Sequence, residues 1–329
     1  MTVPDIVTGV VQNEERRMNI DIRKVLVTGS SGMIGTALCE ALMQDGYEVT
    51  GVDLRHNKWS EVVDSATIIC DLRDSTSFEK LTKHFDIVVH LAANARVFNT
   101  VVTPQLAKDN FDISFNVLEF CRLNNIKRFI FGSSREVYGN SDKVYSTENE
   151  VDLMKCESPY TATKIAGETL VSAYHYCYGI EFIVLRFSNI YGKYDDSDRL
   201  IPLIIEQMKK GEDIIVFGKE KLLDFTYISD CIDGIIKSIE QFSNAQGNTI
   251  NIATGKGITI LDLAKKIIGK AGAASKLVIQ EKRTGEVMQF IADISKAKDL
   301  LHYRPVVSIE DGTVRTLEWY NNANICRDE

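Results

Sequence analysis

A glycine-rich turn near the start of this chain of 329 residues limits its fold more than any other feature of the sequence. Its three glycines, Gly29, Gly32 and Gly35, directly follow the short apolar run Lys24–Val27. An amphipathic segment comes after the turn, and a second apolar run, Glu48–Asp53, comes after that segment. A strand, a glycine turn, a helix and a second strand within about 30 residues are typical of a βαβ unit that binds a dinucleotide. The free N–H groups and the positive dipole end of the helix bind the phosphates.

The glycines and the acid at the end of the second strand indicate which dinucleotide binds. Glycine is needed where the chain turns tightly, where the backbone approaches the pyrophosphate and where the helix packs on the strand. Asp53 stands 18 residues after Gly35. A carboxylate there can accept hydrogen bonds from the adenosine ribose, and it repels a 2′-phosphate. We therefore expect NAD, although Arg55 works against this preference because a guanidinium can bind that phosphate.

Apolar strands continue to alternate with helices along the chain. Further strands are predicted at 67–70, 87–90, 128–131, 182–185, 214–217 and 249–252, and helices at 33–44, 109–124, 159–178, 202–210 and 260–270. Nearly continuous apolar strands separated by helices are typical of a parallel sheet that is covered on both faces. After Arg186 the segments become shorter and more polar. The sequence therefore predicts an α/β fold, a Rossmann-type doubly wound parallel sheet with a smaller C-terminal α/β substrate lobe.

These patterns divide the chain into three predicted regions. Residues 1–20 form a flexible N-terminal extension, residues 21–185 form the dinucleotide-binding domain, and residues 186–329 form mainly the substrate lobe. The lobe is expected to return to the main sheet near 224–254. The sequence has five prolines and no long linker between the lobes, so we expect an extensive interface between them.

Composition and charge exclude several classes of partner. The net charge is -8 and no block of Lys or Arg occurs, which argues against nucleic-acid binding. No apolar run approaches the roughly 18 residues that span a bilayer, and the polar N-terminus lacks the apolar stretch of a secretory signal. The seven cysteines are scattered without a C-x-x-C pair, which favours reduced thiols over a disulfide framework or a zinc site. We expect a cytoplasmic protein that binds no metal, nucleic acid or membrane.

A second motif, Tyr160-x-x-x-Lys164, indicates chemistry at the bound cofactor. The spacing places a phenol and an ammonium one turn apart on the same face of a helix. The phenol of a free tyrosine has a pKa near 10, and a nearby ammonium favours its phenolate form. A phenolate can act as a general base toward a hydroxyl group. Together, the turn and this motif predict oxidation of an alcohol with a nicotinamide as the hydride acceptor.

Further segments accompany these two motifs in a fixed order. They are Asp71-Leu72 after the third predicted strand, Leu91-Ala92-Ala93 after the fourth, Asn110 on the next helix, Gly132–Gly139, Leu185–Gly192, Asp224–Asp230 and Arg283–Glu286. With them, residues 22 to 320 resemble the extended short-chain dehydrogenase/reductase family, in its nucleotide-sugar epimerase/dehydratase branch. The number and the order of the matches make this a specific resemblance.

The resemblance implies a role for each of these positions. The implied NAD contacts are Gly29, Ser31, Gly32, Met33, Ile34, Gly35, Asp53, Asp71, Leu72, Leu91, Ala92, Ala93, Asn110, Tyr160 and Lys164. Tyr160 would take the proton from a sugar hydroxyl that Ser134 steadies, and Lys164 would hold the nicotinamide ribose. The implied contacts to a nucleotide-sugar substrate are Arg135, Asn189 and Arg283.

Oxidation of a sugar carbon gives a ketone, and the next step distinguishes three reactions. Return of the hydride to the other face gives 4-epimerisation, loss of water across carbons 5 and 6 gives a dehydratase, and loss of carbon dioxide gives a decarboxylase. The similar 4,6-dehydratases carry Asp-Glu after the catalytic threonine, whereas this chain has Arg135-Glu136. An epimerase needs no second acid or base, so a 4-epimerase is the leading prediction. The alternative is a dehydratase or decarboxylase that uses Glu136 as a catalytic acid or base.

Other interpretations of the same residues stay open. Glu136 pairs with Arg135 or with solvent in one of them, and Arg135 binds the carboxylate of a uronic acid in another. At the level of function, a net-turnover dehydrogenase and a non-enzymatic NAD-binding protein of this fold are further alternatives. The intact set of Ser134, Tyr160 and Lys164 argues against the non-enzymatic protein.

Leu223 marks the clearest departure from the family pattern. Members of the family usually carry an arginine at this position, which contacts the nucleotide diphosphate, and a diphosphate needs cationic partners. Arg283 matches a second family contact to the phosphates. Lys193, Lys219 or Lys221 could replace the missing arginine.

The resemblance also implies a homodimer. In this family, the helices that correspond to 109–124 and 159–178 form a four-helix bundle with the same helices of a second subunit. The apolar residues Ala166, Leu170 and Ala173 on the second of these helices suit such a contact.

Overall fold

The computed structural model describes residues 22–81, 84–141, 143–282 and 285–323. The predicted N-terminal extension, 1–20, lies outside the described residues, as does Arg283. In the described residues the strands are β1 (Lys24–Thr28), β2 (Glu48–Asp53), β3 (Thr67–Ile69), β4 (Ile87–His90), β5 (Arg128–Ser134), β6 (Glu181–Phe187), β7 (Asn189–Tyr191), β8 (Ile214–Phe217), β9 (Leu222–Tyr227), β10 (Asn248–Ile252), β11 (Gly257–Thr259), β12 (Leu277–Gln280) and β13 (Gln289–Phe290). The helices are α1 (Met33–Gln44), α2 (Glu61–Ser65), α3 (Val97–Val102), α4 (Gln105–Leu123), α5 (Pro159–Tyr178), α6 (Leu200–Lys210), α7 (Ile228–Glu240), α8 (Phe242–Ala245), α9 (Ile260–Ala271), α10 (Ser295–Leu301) and α11 (Ile309–Asn322). Short 3₁₀ segments cover Ser75–Lys80, Arg135–Tyr138 and Leu153–Lys155.

The main sheet of the described chain has seven parallel strands in the order β10-β6-β5-β4-β1-β2-β3. Because β1 lies between β2 and β4, the strand order reverses at this point. In doubly wound sheets, ligands bind in the crevice outside the carboxyl ends of the strands at such a switch point. The predicted Rossmann-type fold is confirmed, and its topology places a ligand crevice beyond β1 and β4.

Alternate residues of the central strands face two separate apolar cores. On β1, Val25 and Val27 belong to a core that includes Leu38 of α1, whereas Leu26 belongs to a core that includes Val117 of α4. Both faces of the sheet are therefore buried under helices. This burial explains why the strands are nearly continuous apolar runs in the sequence, since neither face needs polar side chains.

A smaller lobe follows β6 in the chain. Strand β9 pairs with β7 and β13 in parallel and with β11 in antiparallel orientation, while β8 and β12 form a separate parallel pair. Helix α6 packs on β8 and helix α11 packs on β9. Helix α9 packs on both α6 and α11. The chain then returns to the central sheet, where β10 pairs with β6.

Helix α5 packs closely on the central sheet and is held there by a buried ion pair. A Cβ atom at Gly167 would lie 2.3 Å from Cζ of Phe131 on β5, so only glycine allows this approach. The next residue, Glu168, accepts hydrogen bonds from Oγ of Ser133 on β5 at 2.5 Å and from Nη2 of Arg186 on β6 at 2.6 Å. These contacts fix the position of α5 relative to two strands.

We expect Gly167→Ala to destabilise the fold by about 1–3 kcal/mol, because the added methyl group must displace the buried ring of Phe131. The matched control is Gly269→Ala in α9, where an added Cβ meets no atom within 4 Å. Alanine at that position should stabilise the helix by about 0.5–1 kcal/mol. Urea unfolding followed by circular dichroism gives the free energy of unfolding of each variant. Equal effects of the two substitutions would contradict the close packing of α5.

Candidate active site

A cavity of about 870 Å³ lies between the main sheet and the smaller lobe, beyond the carboxyl ends of β1, β4 and β5. Most residues predicted for the site line it, namely Gly29, Gly32, Met33, Ile34, Gly35, Asp53, Asp71, Leu72, Leu91, Ala92, Ala93, Ser134, Arg135, Glu136, Tyr160, Lys164 and Asn189. Ser31 and Asn110 do not line it, and Arg283 lies outside the described residues. The fold therefore brings the glycine turn and the Tyr160–Lys164 motif to one cavity.

The glycine turn fits a phosphate group because its backbone is bare. Gly29 has a φ of +77°, and a Cβ atom there would lie 2.8 Å from the backbone nitrogen of Ala92. A Cβ atom at Gly35 would lie 2.0 Å from the carbonyl oxygen of Gly29. Gly32 is the N-cap of α1 and has no side chain that could cap the helix. The N–H groups of the first turn of α1, together with its positive dipole end, are therefore left for an anion.

Two acids, Asp53 at the end of β2 and Asp71 shortly after β3, line one end of the cavity. Oδ2 of Asp53 accepts a hydrogen bond from the backbone N–H of Ser31 at 3.0 Å, and its Oδ1 accepts one from the N–H of Arg55 at 3.0 Å. Ser31 thus positions Asp53 and does not itself face the cavity. Asp71 accepts a hydrogen bond from Nη2 of Arg73 at 2.7 Å, which lowers its pKa.

Asn110 supports the wall of the cavity from behind. Its Oδ1 accepts a hydrogen bond from the backbone N–H of Asn94 at 2.6 Å, and its Nδ2 donates to the carbonyl oxygen of Asn94 at 3.2 Å. Asn94 directly follows Leu91-Ala92-Ala93, which line the cavity. The structure therefore places Asn110 as a residue that fixes this segment, rather than as the direct cofactor contact that the sequence predicts.

The ammonium of Lys164 is buried beneath Tyr160. Its Nζ donates a hydrogen bond to the carbonyl oxygen of Gly132 at 2.8 Å and lies 5.8 Å from the centre of the Tyr160 ring. Burial lowers the pKa of Lys164 to about 8, and the carboxylate of Glu168 one turn further along α5 acts in the opposite direction. Lys164 is therefore held at one position on β5, with a charge that it loses in mildly alkaline solution.

The environment of Tyr160 differs from the expectation drawn from the sequence. Burial raises the pKa of Tyr160 to about 12, and the hydrogen-bonding hydroxyl of Ser134 and the charge of Arg199 lower it only in part. The expected lowering of this pKa by Lys164 is not found. The ammonium of Lys164 is bound to the Gly132 carbonyl, and the removal of water from around the phenol has the larger effect.

Ser134 is placed by the end of β5. It is the last residue of that strand and the N-cap of the 3₁₀ segment Arg135–Tyr138, where its Oγ accepts a hydrogen bond from the backbone N–H of Glu136 at 3.2 Å. This bond uses an acceptor position of the hydroxyl and leaves its proton available. Ser134 can therefore donate a hydrogen bond to the phenol of Tyr160 or to a substrate oxygen.

Arg135 and Glu136 form a buried ion pair in the cavity. Nη2 of Arg135 lies 2.7 Å from Oε1 of Glu136, and Nε of Arg135 donates to Oδ1 of Asn189 at 3.1 Å. Burial raises the pKa of Glu136, and the charge of Arg135 opposes this shift. In the part of the chain that the structure describes, Nη1 of Arg135 and Oε2 of Glu136 are buried without a hydrogen-bond partner. The pair is thus ordered, but it leaves one donor and one acceptor free.

The positive charges around the cavity differ from those that the sequence suggests. Of the lysines considered as replacements for the family arginine, Lys221 lines the cavity, whereas Lys193 and Lys219 do not. Lys221 is buried and forms an ion pair with Glu286. Arg199 also lines the cavity, and its charge acts on the phenol of Tyr160.

Sequence reasoning missed Arg199 and Glu286 as site residues. Arg199 ends a polar loop just before the apolar helix that begins at Leu200. This change from polar to apolar residues is the one local pattern that marks its position. Glu286 stands in the segment Arg283–Glu286, where the resemblance points to the arginine alone. Both residues reach the cavity through the folding of the smaller lobe onto the sheet, which no local pattern encodes.

A loop of the smaller lobe borders the cavity and forms ion pairs with residues of the main-sheet part. This bridging loop, residues 193–198, connects β7 to α6. Its ion pairs with residues of the main-sheet part are Lys193–Glu40, Asp196–Lys58 and Asp198–Arg96. Glu40 lies on α1, Lys58 follows β2 and Arg96 follows β4, so the attachments lie on both sides of the switch point.

We expect Glu168→Gln to lower the pKa of Lys164 further below its value of about 8, because Glu168 is the charge that opposes the effect of burial. An NMR titration of protein labelled with ¹³C at lysine Cε gives this pKa, with Lys164→Met to assign the resonance. Glu150→Gln neutralises a partly exposed carboxylate that is paired with Lys143 and should leave the pKa of Lys164 unchanged. An equal or higher pKa of Lys164 in Glu168→Gln would contradict the assigned role of this carboxylate.

Neither a membrane-spanning segment nor a metal site is found in the described residues. None of their helices is long and apolar enough to cross a membrane. The described His, Cys, Asp and Glu side chains include no group of three or more that could hold a metal ion.

Comparison with known proteins gives the same fold and the same cofactor. A family model described as the NAD dependent epimerase/dehydratase family matches residues 25–253. The UDP-glucose 4-epimerase of Thermotoga maritima, solved with UDP-glucose, is 29% identical with a TM-score of 0.84, over 92% of this chain and 100% of that chain. The UDP-glucuronic acid 4-epimerase of Bacillus cereus, solved with UDP-glucuronic acid and NAD, is 30% identical with a TM-score of 0.81, over 91% of this chain and 99% of that chain. A UDP-N-acetyl-alpha-D-glucosaminuronate decarboxylase of Bacillus cytotoxicus is 30% identical over 91% of this chain and 98% of its own length.

The family match includes both the glycine turn and the Tyr160–Lys164 motif. The similar structures share the whole fold, and one of them contains NAD. This chain belongs to the NAD-dependent epimerase/dehydratase family, among the extended short-chain dehydrogenases/reductases, and its cofactor is NAD.

Proposed function

We propose that this protein is a nucleotide-sugar 4-epimerase, which oxidises a sugar hydroxyl transiently and reduces the ketone on its other face. The observation that carries the proposal is the arrangement beside Ser134. Tyr160 and Lys164 share the cavity with the glycine turn, while the neighbouring carboxylate of Glu136 is ion-paired with Arg135. A dehydratase or decarboxylase needs a second acid or base, for which a paired carboxylate is less available. Epimerisation needs no second acid or base.

The residues of the cavity fit NAD along its whole length. The bare N-terminus of α1 suits the pyrophosphate, Asp53 suits the adenosine ribose, and Lys164 suits the nicotinamide ribose. When bound there, NAD would supply the acceptor and later the donor of the hydride. The protein supplies the position of the sugar and the route of the proton.

Tyr160 is the residue to which we assign the proton. The hydroxyl of Ser134, oriented by the N–H of Glu136, positions the sugar hydroxyl, and Tyr160 as phenolate takes the proton at its phenolic oxygen. Because burial raises the pKa of Tyr160 to about 12, the phenolate form depends on the neighbours that favour it, chiefly the hydroxyl of Ser134 and the charge of Arg199. Tyr160 then returns the proton to the same oxygen of the sugar. The reaction thus leaves the enzyme unchanged in protonation and in redox state.

Arg199 and Lys221 supply positive charge for the nucleotide diphosphate. Both line the cavity, and a diphosphate in a buried site needs charged hydrogen-bond donors. Lys221 directly precedes β9, two positions before Leu223, and both residues line the cavity. A cation at position 221 can therefore replace the family arginine that position 223 lacks.

A lyase of the same fold is the second candidate, and Glu136 is the observation that favours it. Its carboxyl group is buried in the cavity, with a pKa raised by burial and with Oε2 unpartnered among the described residues. A buried carboxyl group with a perturbed pKa in a cavity is a candidate catalytic acid or base. A dehydratase or decarboxylase would use Glu136 in this way, as the similarity to a decarboxylase also allows.

Proton NMR of the purified protein with NAD and a panel of UDP-, dTDP-, GDP- and CDP-sugars tests the proposal. The panel includes uronic acids and N-acetyl sugars. Inversion at carbon 4 without loss of mass is the expected result. A ketosugar or pentose product would overturn the epimerase in favour of the lyase. Net accumulation of reduced nicotinamide would instead indicate a dehydrogenase.

We expect Tyr160→Phe to lower the epimerisation rate by about 10²–10⁴-fold, because the sugar hydroxyl then loses its proton acceptor. The variant should still bind NAD, since the ring and Lys164 remain in place. Tyr145→Phe, which removes the hydroxyl of an exposed tyrosine, is the control and should retain full activity. Wild-type rates in Tyr160→Phe would contradict the assigned role of the phenol.

The outer face of α4 and α5 supports the homodimer that the family resemblance implies. Phe111 and Phe115 on α4 are one turn apart and are 40% and 41% exposed, and Tyr176 on α5 is 83% exposed. Ala162 and Ala173 on the same side of α5 are also exposed. Large apolar side chains on one face of two packed helices mark an interaction surface. We therefore propose that a second copy of this chain covers this face.

We expect Phe115→Glu to convert the dimer to a monomer, because it places a charge in the centre of the proposed contact. Analytical ultracentrifugation measures the mass of both forms. Val62→Glu adds the same charge at an exposed valine of α2, 65% exposed, and should leave the dimer intact. A monomeric wild-type protein, or a dimer that survives Phe115→Glu, would contradict this surface.

A further inference from the structure

Two buried polar atoms in the cavity that Tyr160 lines lack a hydrogen-bond partner in the described part of the chain. They are Nη1 of Arg135 and Oε2 of Glu136. Both residues line the cavity, and both charges act on Tyr160, with Glu136 raising its pKa and Arg135 lowering it. A buried polar group without a hydrogen bond costs about 1–3 kcal/mol. A bound ligand that satisfies both atoms would recover this cost.

The geometry of the pair is fixed by the surrounding residues. Nη2 of Arg135 lies 2.7 Å from Oε1 of Glu136, and Nε of Arg135 donates to Oδ1 of Asn189 at 3.1 Å. Asn189 in turn donates from Nδ2 to the carbonyl oxygen of Asp224 at 2.8 Å. One N–H donor and one carboxylate acceptor are therefore held side by side, and the charges of the two residues cancel.

This combination suits a hydroxyl group better than a carboxylate. A hydroxyl can accept a hydrogen bond from Nη1 of Arg135 and donate one to Oε2 of Glu136. A carboxylate can only accept, so it would leave Oε2 unsatisfied and would place two negative charges in contact in a site that excludes water. An arginine without a paired acid would attract a carboxylate, but Glu136 neutralises Arg135 here.

We propose that the Arg135–Glu136 pair selects a sugar with a neutral hydroxymethyl group at carbon 6 and disfavours the corresponding uronic acid. The inference rests on the proposed 4-epimerase, because carbon 6 is attached to the ring carbon next to carbon 4. We assign the carbon 6 group of a sugar whose carbon 4 hydroxyl faces Tyr160 to this pair, because the pair shares the cavity with Tyr160 and both of its charges act on that phenol. The substrate class is a nucleotide-linked neutral hexose.

Binding of two matched ligands to the NAD-loaded protein tests the inference. UDP-glucose and UDP-glucuronate differ only at carbon 6, and calorimetry gives the dissociation constant of each. We expect the wild-type protein to bind UDP-glucose about tenfold or more tightly than UDP-glucuronate, as befits one unfavourable charge contact in a desolvated pocket. Equal affinities, or tighter binding of UDP-glucuronate, would overturn the inference.

Two variants should move this preference in opposite directions. Glu136→Gln leaves Arg135 unneutralised, so the ratio of affinities should shift about tenfold toward UDP-glucuronate. Arg135→Gln leaves Glu136 unneutralised, so the ratio should shift further toward UDP-glucose. Glu150→Gln, the control at a partly exposed carboxylate that does not line the cavity, should leave the ratio unchanged. If the pair had only a structural role, both variants would bind both ligands more weakly by the same factor, and that result would overturn the inference.

Epimerisation of the same ligands, followed by NMR, separates this inference from the proposed function. Selective binding of UDP-glucose without turnover would overturn the epimerase and leave the selectivity standing. Turnover with UDP-glucuronate as the better ligand would overturn the selectivity and leave the epimerase standing. Failure to bind either ligand would contradict both.

Discussion

The close contact between α5 and β5 is the interaction on which the site depends. Gly167 allows the helix to approach the strand, and Glu168 ties it to two strands at once. One turn earlier, Lys164 reaches the backbone of the same strand. Ser134 ends β5 and Tyr160 stands in the first turn of α5, so the packing of helix on strand determines how these two hydroxyl groups approach each other.

The same contact removes water from around Tyr160 and Lys164, and this removal is the largest influence on their pKa values. Burial raises the pKa of Tyr160 and lowers that of Lys164, so it disfavours the charged form of each. Ser134 and Arg199 oppose the effect of burial on the pKa of Tyr160, and Glu168 opposes its effect on the pKa of Lys164. The phenol thus depends on neighbours from other elements, Ser134 and Arg199, whereas the ammonium depends on Glu168 of its own helix, and each neighbour can be changed separately.

The fold and the location of the site could be predicted from the sequence because both depend on local patterns. The glycine turn, the apolar strands and the spacing of Tyr160 and Lys164 each belong to a single segment. The contacts that refine the site join distant segments and had no such signal. Asn110 faces a backbone loop instead of the cavity, Arg199 arrives from the smaller lobe, and burial outweighs the charge of Lys164 at the phenol. Whether Glu136 is paired depends on side-chain geometry that spacing does not determine.

The bridging loop, residues 193–198, gives the two halves of the cavity different physical properties. The apolar cores of the sheet hold together through burial of surface, which salt affects little. The loop is attached through ion pairs whose side chains are partly exposed, and such pairs weaken as ions screen them. Rising ionic strength therefore weakens these three attachments at the border of the cavity, while the ring contacts of Tyr194 in the same loop with Trp59 and Trp319 and the packing of the sheet are affected little.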